Sequence, residues 1–262
     1  MKIKLSVIVI AYNEERNIGR CLLSVKEVAD EIVVIDSYST DRTKEICQQY
    51  NVRFIQHTFY NYIDQKNWAI NQAKYPHILS LDADEALSEQ LRESILKVKN
   101  SWEYDGYYFK RLTNYCGKWI RHTTWYPSKK LRMWDARKGS WGGINPHDKF
   151  FLDKGSVKMY LRGDLLHYSY YTKEEYLAQI EKFSTIKAAS YYSMGIRTNM
   201  AHRIVHTSWR FINDYLFRMG FLDGRSGYTI SKLGAKEVWL KYLKLGDLWR
   251  EEKDASATTP YR

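Results

Sequence analysis

The hydrophobic positions at the start of the chain fall into short, nearly unbroken runs. Lys4 to Ile10 (KLSVIVI) is rich in β-branched residues, the pattern of a strand buried on both faces. It ends in Ala11-Tyr12-Asn13-Glu14-Glu15, and apolar positions Ile18, Leu22, Leu23 and Val25 then predict a helix from Asn17 to about Val28. A second run, Glu31 to Ile35, leads into Asp36-Ser37-Tyr38-Ser39-Thr40-Asp41, where Thr40 or Asp41 is placed to cap a helix through Cys47. Val52 to Ile55, Ile63 to Ala73 and Ile78 to Leu81 continue the series as strand, helix and strand. Such alternation predicts a doubly wound parallel sheet. Three of its strands end in acid-bearing loops, at Glu14, at Asp36 and at Asp82 with Asp84.

The pattern changes after residue 100. Residues 101–170 are crowded with aromatic side chains, among them Tyr107, Tyr108, Trp119, Trp125, Trp134 and Trp141. From about residue 171 the spacing becomes helical: Lys173 to about Met194, then Met200 to Phe221 with Ile204, Trp209, Ile212, Leu216 and Met219 in step. Gly220 to Gly224 predicts a turn, Lys232 to about Leu245 a last helix, and Glu251 to Arg262 a frayed polar tail. Three regions follow: 1–100, 101–170 as a second half of the same domain, and a helical extension over 171–262. Arg210 and Asp214 interrupt the apolar stretch well short of a membrane span.

Charge separates the first two regions. The 262-residue chain has a net charge of +11; residues 1–100 hold 13 basic against 14 acidic residues, and residues 101–170 hold 13 against 6, a net of +7. Arg and Lys pair with phosphates and carboxylates, and aromatic faces stack on sugar rings, although a core would use the same aromatics. Three widely spaced cysteines, Cys21, Cys47 and Cys116, show no zinc pattern and suit reduced thiols. The chain enters a strand at once with no charged and apolar leader, so a cytoplasmic protein is expected. Most informative is Asp82-Ala83-Asp84-Glu85. Carboxylates two residues apart at the carboxyl edge of an α/β sheet suit a hard divalent cation, Mg²⁺ or Mn²⁺, bound with a diphosphate, although an acidic cluster there can also serve a helix N-terminus.

Ser6 to Glu15, Val33 to Thr43 and Leu81 to Glu85, in that order and spacing, resemble family 2 glycosyltransferases of the GT-A fold. Phe59 to Asn67 and the pair His147-Asp148 are similar to the bacterial subgroup that adds glucose or a related hexose to the lipopolysaccharide inner core; the likeness extends more weakly to about residue 245. The resemblance implies a nucleotide-binding, Rossmann-like mixed sheet with a C-terminal helical extension. It also implies an inverting, metal-dependent hexosyl transfer from a nucleoside-diphosphate sugar, a UDP-sugar above all, to an anionic or lipid-linked glycan. Tyr12, Asn13, Glu14 and Asp36 would hold the nucleoside, Asp82 the ribose or metal, and Asp84 the metal. Lys66 would face the phosphates, or else stand as a solvated helix lysine; Arg132 would meet a phosphate or acceptor acid, or form a surface ion pair. His167 would complete the metal shell, or serve the structure. An inverting transferase needs a base for the acceptor hydroxyl, and Asp148, in the Gly- and Pro-bearing loop 141–148, is the candidate; the family often has His-Glu there.

Two other classes fit the residues less well. Nucleotidyltransferases usually carry a Gly-rich loop after the first strand, and none follows here; a basic nucleic-acid binder would leave Asp36, Asp82 and Asp84 without purpose, so no nucleic-acid partner is expected. Trp209, Phe217 and Phe221 beside Arg203, Arg210 and Arg218 suit a helix lying on the anionic inner leaflet, or one packed on the catalytic domain.

Overall fold

The computed structural model describes residues 2–143 and 148–257, so His147 lies outside the described residues. The chain runs through β1 (Leu5–Ala11), α1 (Ile18–Val25), β2 (Glu31–Asp36), α2 (Thr43–Gln48), β3 (Arg53–Gln56), α3 (Tyr62–Ile70), β4 (His77–Asp82), β5 (Glu85–Leu87) and α4 (Glu89–Asn100). It continues through β6 (Gly106–Tyr115), β7 (Lys118–Ile120), β8 (Ser128–Asp135), β9 (Gly139–Gly142), β10 (Lys149–Leu152) and β11 (Lys158–Tyr170), then α5 (Lys173–Ser193), α6 (Met200–Ile212) and α7 (Gly224–Ala257).

The strand order is β3-β2-β1-β4-β8-β6-β11-β5, with β7 on β6 and a separate β9–β10 ribbon. The first four strands are parallel, as the buried runs predict. Beyond β4 the sheet turns antiparallel, β8 against β4 and β6 against β8, which makes it the mixed sheet of the GT-A fold. β1 shows why the parallel half forms. Val7, Val9 and Ala11 enter one core with Leu22 of α1 and Leu91 of α4, while Ile8 enters another with Ala69 of α3 and Trp134 of β8. A strand apolar on both sides is covered by helices on both sides.

The residues form two compact units, 1–113 with 127–169, and 114–126 with 170–262. In the second, Tyr115 and Ile120 pack with Tyr176 and Ile180 of α5 and with Ile230 and Leu233 of α7. Two sequence expectations change there. α6 ends at Ile212 and passes into a π turn over Asn213–Phe217, and α7 begins at Gly224 and runs 34 residues to Ala257, past both ends of the predicted Lys232–Leu245 and into the first residues of the tail expected to fray, of which 258–262 lie outside the described residues. Nor do Arg203 and Arg210 share an outward basic face with Arg218: Arg203 is buried, and Arg210 donates to Asp214 at 2.8 Å and to Thr124 Oγ1 at 2.9 Å.

Gly163 in β11 has φ +99°, and a Cβ there would stand 2.3 Å from the backbone nitrogen of Leu91 at the start of α4. Backbone strain and a clash with immovable main chain act together, so Gly163→Ala is expected to destabilise the protein by about 3 kcal/mol, read as a lowered urea midpoint.

Candidate functional site

The loops after β1 and β2 lock onto each other. Asn13, at φ 54°, donates its N–H to Ser39 Oγ at 2.8 Å and accepts the Thr40 N–H on Oδ1 at 2.8 Å. Thr43 Oγ1 takes the Glu14 N–H, and the two carboxylate oxygens of Asp41 take the N–H groups of Thr43 and Glu15. Asp41 thus serves the start of α2 much as a cap residue would. Asp36 is fully buried and accepts from the Ser39 N–H at 2.9 Å and from its hydroxyl, which makes it the organiser of this loop. The rings of Tyr12 and Tyr38 stand exposed beside it.

At the end of β4 a single guanidinium gathers the acids. Arg132, on β8 and 4% exposed, reaches Asp82 Oδ2 at 2.5 Å and Glu85 Oε1 at 2.6 Å, while the other Glu85 oxygen accepts the Asp82 N–H at 3.1 Å. This pairing is internal, so Arg132 is neither a surface ion pair nor a group held out for a ligand alone. Lys66 on α3 is likewise buried, with Nζ 2.8 Å from Asp148 Oδ2, 3.5 Å from Asp82 Oδ1 and 4.4 Å from the Trp141 ring centre. Its neighbour Asn67 pins β9 by exchanging two hydrogen bonds with the Trp141 backbone, at 2.9 and 3.0 Å. Burial raises the Asp82 carboxyl, but the charges of Arg132 and Lys66 outweigh it and hold the group far below the usual carboxylate range.

Asp84 faces the other way. β5 pairs with β11 so that Glu85 stands opposite His167, and this register delivers the imidazole to Asp84, with Nε2 3.1 Å from Oδ2. Ser169 Oγ lies 2.7 Å from Nδ1 and 2.8 Å from Nε2 of the same ring. Burial raises Asp84, and the charge and hydrogen bond of His167 bring it below its ordinary value. Glu14 is pushed up to about 7 by burial and then by the charge of Asp84. One carboxylate and one imidazole side by side are ligand types that Mn²⁺ accepts. Among the described residues no three His, Cys, Asp or Glu side chains form a closed metal shell, so other donors would come from a ligand.

The structure therefore brings Glu14, Lys66, Asp82, Asp84, Arg132, Asp148 and His167 to one sheet edge, with Tyr12, Asn13 and Asp36 in the adjoining loops. Three participants escape sequence reasoning. Glu85 completes the Arg132 bridge; Arg111 on β6 lies 3.7 Å from Glu85; and Lys130, two residues before Arg132 across the bulge in β8, has no ion-pair partner among the described residues. Only the alternation Lys130-x-Arg132 hints at the last.

A family model described as glycosyl transferase family 2 matches residues 6–158. A lipopolysaccharide core biosynthesis glycosyltransferase, LpsC, of Rhizobium meliloti is 29% identical, covering 93% of this chain and 92% of its own. An uncharacterised glycosyltransferase of Rickettsia typhi is 28% identical, covering 98% and 92%. Among solved structures, a mannosyltransferase of Pyrobaculum calidifontis in complex with GDP-Man and Mn²⁺ shares the fold at TM-score 0.51 and 15% identity, covering all of this chain and 77% of its own.

Lys130 supplies a test of the site's charge balance. Burial, followed by the charges of Arg111 and Arg132, lowers its ammonium to about 8. The unfolded chain binds the proton more tightly, so the cost of burying it is full below pH 8 and fades as pH rises to the ordinary lysine value. Lys130→Met should therefore raise the melting temperature at pH 7 by roughly 2–4 °C, with the gain shrinking toward pH 10 in thermal scans.

Proposed function

The chain belongs to glycosyl transferase family 2, and from that premise we propose that it moves a hexose, glucose foremost, from a UDP-sugar to a saccharide hydroxyl with inversion at the anomeric carbon. The observation that carries this reading is the convergence of two separate contacts, Asp148 on Lys66 and Asp84 on His167, on the acids at the carboxyl end of β4, with Lys66 also 3.5 Å from Asp82. Open α/β sheets bind ligands at that edge.

Each residue then has a task. The interlocked loops of Asn13 and Ser39, held by Asp36, receive the nucleoside between Tyr12 and Tyr38, and Glu14 stands beside Asp84. Asp84 and His167 would hold a divalent cation, the kind of ion bound in the Pyrobaculum mannosyltransferase structure. Bound there, it would supply Lewis-acid neutralisation of the departing diphosphate. Asp82 is fixed by Arg132 and Lys66 toward the ribose side, and Lys66 places a buried positive charge next to the leaving group. Asp148 takes the proton of the acceptor hydroxyl; the acceptor oxygen bonds to the anomeric carbon, and the bond to the diphosphate breaks with its electron pair leaving on the nucleotide. Lys66 holds one Asp148 oxygen at 2.8 Å, and the other is assigned to the acceptor.

The acceptor is proposed to be lipopolysaccharide core or another lipid-linked glycan. The name of the Rhizobium relative and the basic 101–170 segment support this. Its lipid anchor would set the reaction at the inner face of the cytoplasmic membrane. No helix among the described residues is long and apolar enough to cross a membrane.

Two substitutions separate the roles. Asp84→Asn should lower turnover about a hundredfold or more, the scale of removing a main stabiliser of leaving-group charge; near-normal turnover, or full activity with excess chelator, overturns metal dependence. Asp148→Asn should depress turnover while donor affinity stays within about threefold, because a base acts in the transition state. Both are read from nucleotide release and from donor-induced thermal shifts across a panel of nucleotide sugars with Mn²⁺. Loss of donor binding in Asp148→Asn would move that residue to the nucleotide side.

A further inference from the structure

α6 and the turns after it form an amphipathic element folded inside out. The stripe that packs inward is polar: Arg203 is 8% exposed with its guanidinium over the Trp239 ring, the Thr207 hydroxyl is buried, and Arg210 is tied to the fully buried Asp214. The outward stripe is apolar. Val205, Trp209, Leu216, Phe217 and Leu222 are each between 54% and 67% exposed. In water the free-energy order runs the other way, with apolar faces inward and charges outward. Exposed apolar side chains scattered singly need no explanation, but a continuous face of them over one helix and its end does.

The face is also built to stay presented. Met219 holds φ 53°, a left-handed conformation uncommon for a residue of its kind, and keeps its side chain half exposed. Beneath it the backbones of Gly220 and Gly227 meet so closely that a Cβ on Gly227 would stand 1.8 Å from the Gly220 carbonyl oxygen. The turn is thereby pressed against the first turns of α7, and its bulky side chains project from a fixed base.

Charge selects the occupant. Between Met200 and Tyr228 the sequence has two acids, Asp214 and Asp223, and both are buried and bonded. Asp214 takes Arg210 and the Thr124 N–H; Asp223 takes the His122 N–H at 2.9 Å and lies 3.1 Å from the His122 ring nitrogen. The fully charged side chains left exposed in this stretch, Arg218 and Arg225, are cationic. An apolar face whose exposed charges are all positive complements the boundary between acyl chains and anionic headgroups. A second copy of the chain fits less well, because a two-fold contact centred on this face would gather the arginines of both copies together.

We infer that the outward face of α6 with the Asn213–Asp223 turns is a docking surface for an anionic phospholipid bilayer, inserted from one side. This rests on and deepens the reading of a lipid-linked acceptor. Vesicle binding requires no donor, acceptor or turnover, so its failure and the failure of that reading are distinguishable.

The test is flotation of the full chain with vesicles of phosphatidylcholine alone or with added phosphatidylglycerol, at low and high salt. Binding is expected only to the phosphatidylglycerol vesicles and should weaken with salt. Arg218→Gln with Arg225→Gln should weaken it about twenty-five-fold, at roughly fivefold for each contact. Trp209→Ser with Phe217→Ser should abolish it while leaving the melting temperature and the thermal shift by UDP with Mn²⁺ unchanged, since these side chains are outward and remote in sequence from the Asp84 loops. Equal binding to both vesicle types, no binding to either, or binding unaffected by either double variant overturns the inference. A concentration-dependent dimer that Phe217→Ser dissolves, with no vesicle binding, would assign the face to a second copy instead.

Discussion

One buried guanidinium organises the candidate site. Arg132 arrives from β8, spans Asp82 and Glu85, and so fixes both sides of the tight turn between β4 and β5. With those two acids drawn inward, the intervening Asp84 is left facing His167 across the β5–β11 register. Taking charges out of water is costly unless each is paired and hydrogen-bonded, and removing one partner would strand the others. The backbone N–H of Asp82 closes the arrangement on Glu85. The positions of Lys66 and Asp148 follow from the same balance, because the remaining oxygen of Asp82 draws the ammonium that also holds Asp148.

Much of this was legible in the residues, for a physical reason. Parallel strands buried on both faces leave unbroken apolar runs, so β1, β2 and β4 announce themselves, and acids that end such runs must stand at one edge. Glu85 was visible as a letter but not as a partner, since the charge it bonds is carried 47 positions later. β6 and β11, at 10 and 13 residues, mix aromatic, basic and small side chains and lack the clean runs that betray the parallel strands. α7 was foreshortened because Gly220 to Gly224 read as a turn, and two further glycines, Gly227 and Gly234, lie inside the helix that follows. Their lack of a side chain is used for packing: Gly227 admits the Gly220 backbone, and a Cβ on Gly234 would stand 3.1 Å from the Arg210 guanidinium. Periodicity finds a face but does not say which way it points, and α6 carries its polar stripe inward.

The same economy of charge appears in both units. Around Asp84 the crowding of carboxylates helps hold Glu14 up at about 7, while under α6 each acid is bonded to an internal partner and the exposed charges of that stretch are cationic. The acid-bearing edge suits a cation with its diphosphate, and the basic apolar face suits an anionic surface.

The helical unit is assembled from two separated stretches, 114–126 and 170–262. Tyr115 and Ile120 belong to the core of α5 and α7, so cutting the chain once at residue 170 would strand part of that core on the remaining piece. A fragment beginning at residue 170 therefore lacks side chains of its own core. Residues 114–126 and 170–262 are therefore expected to fold and unfold together, as one cooperative unit.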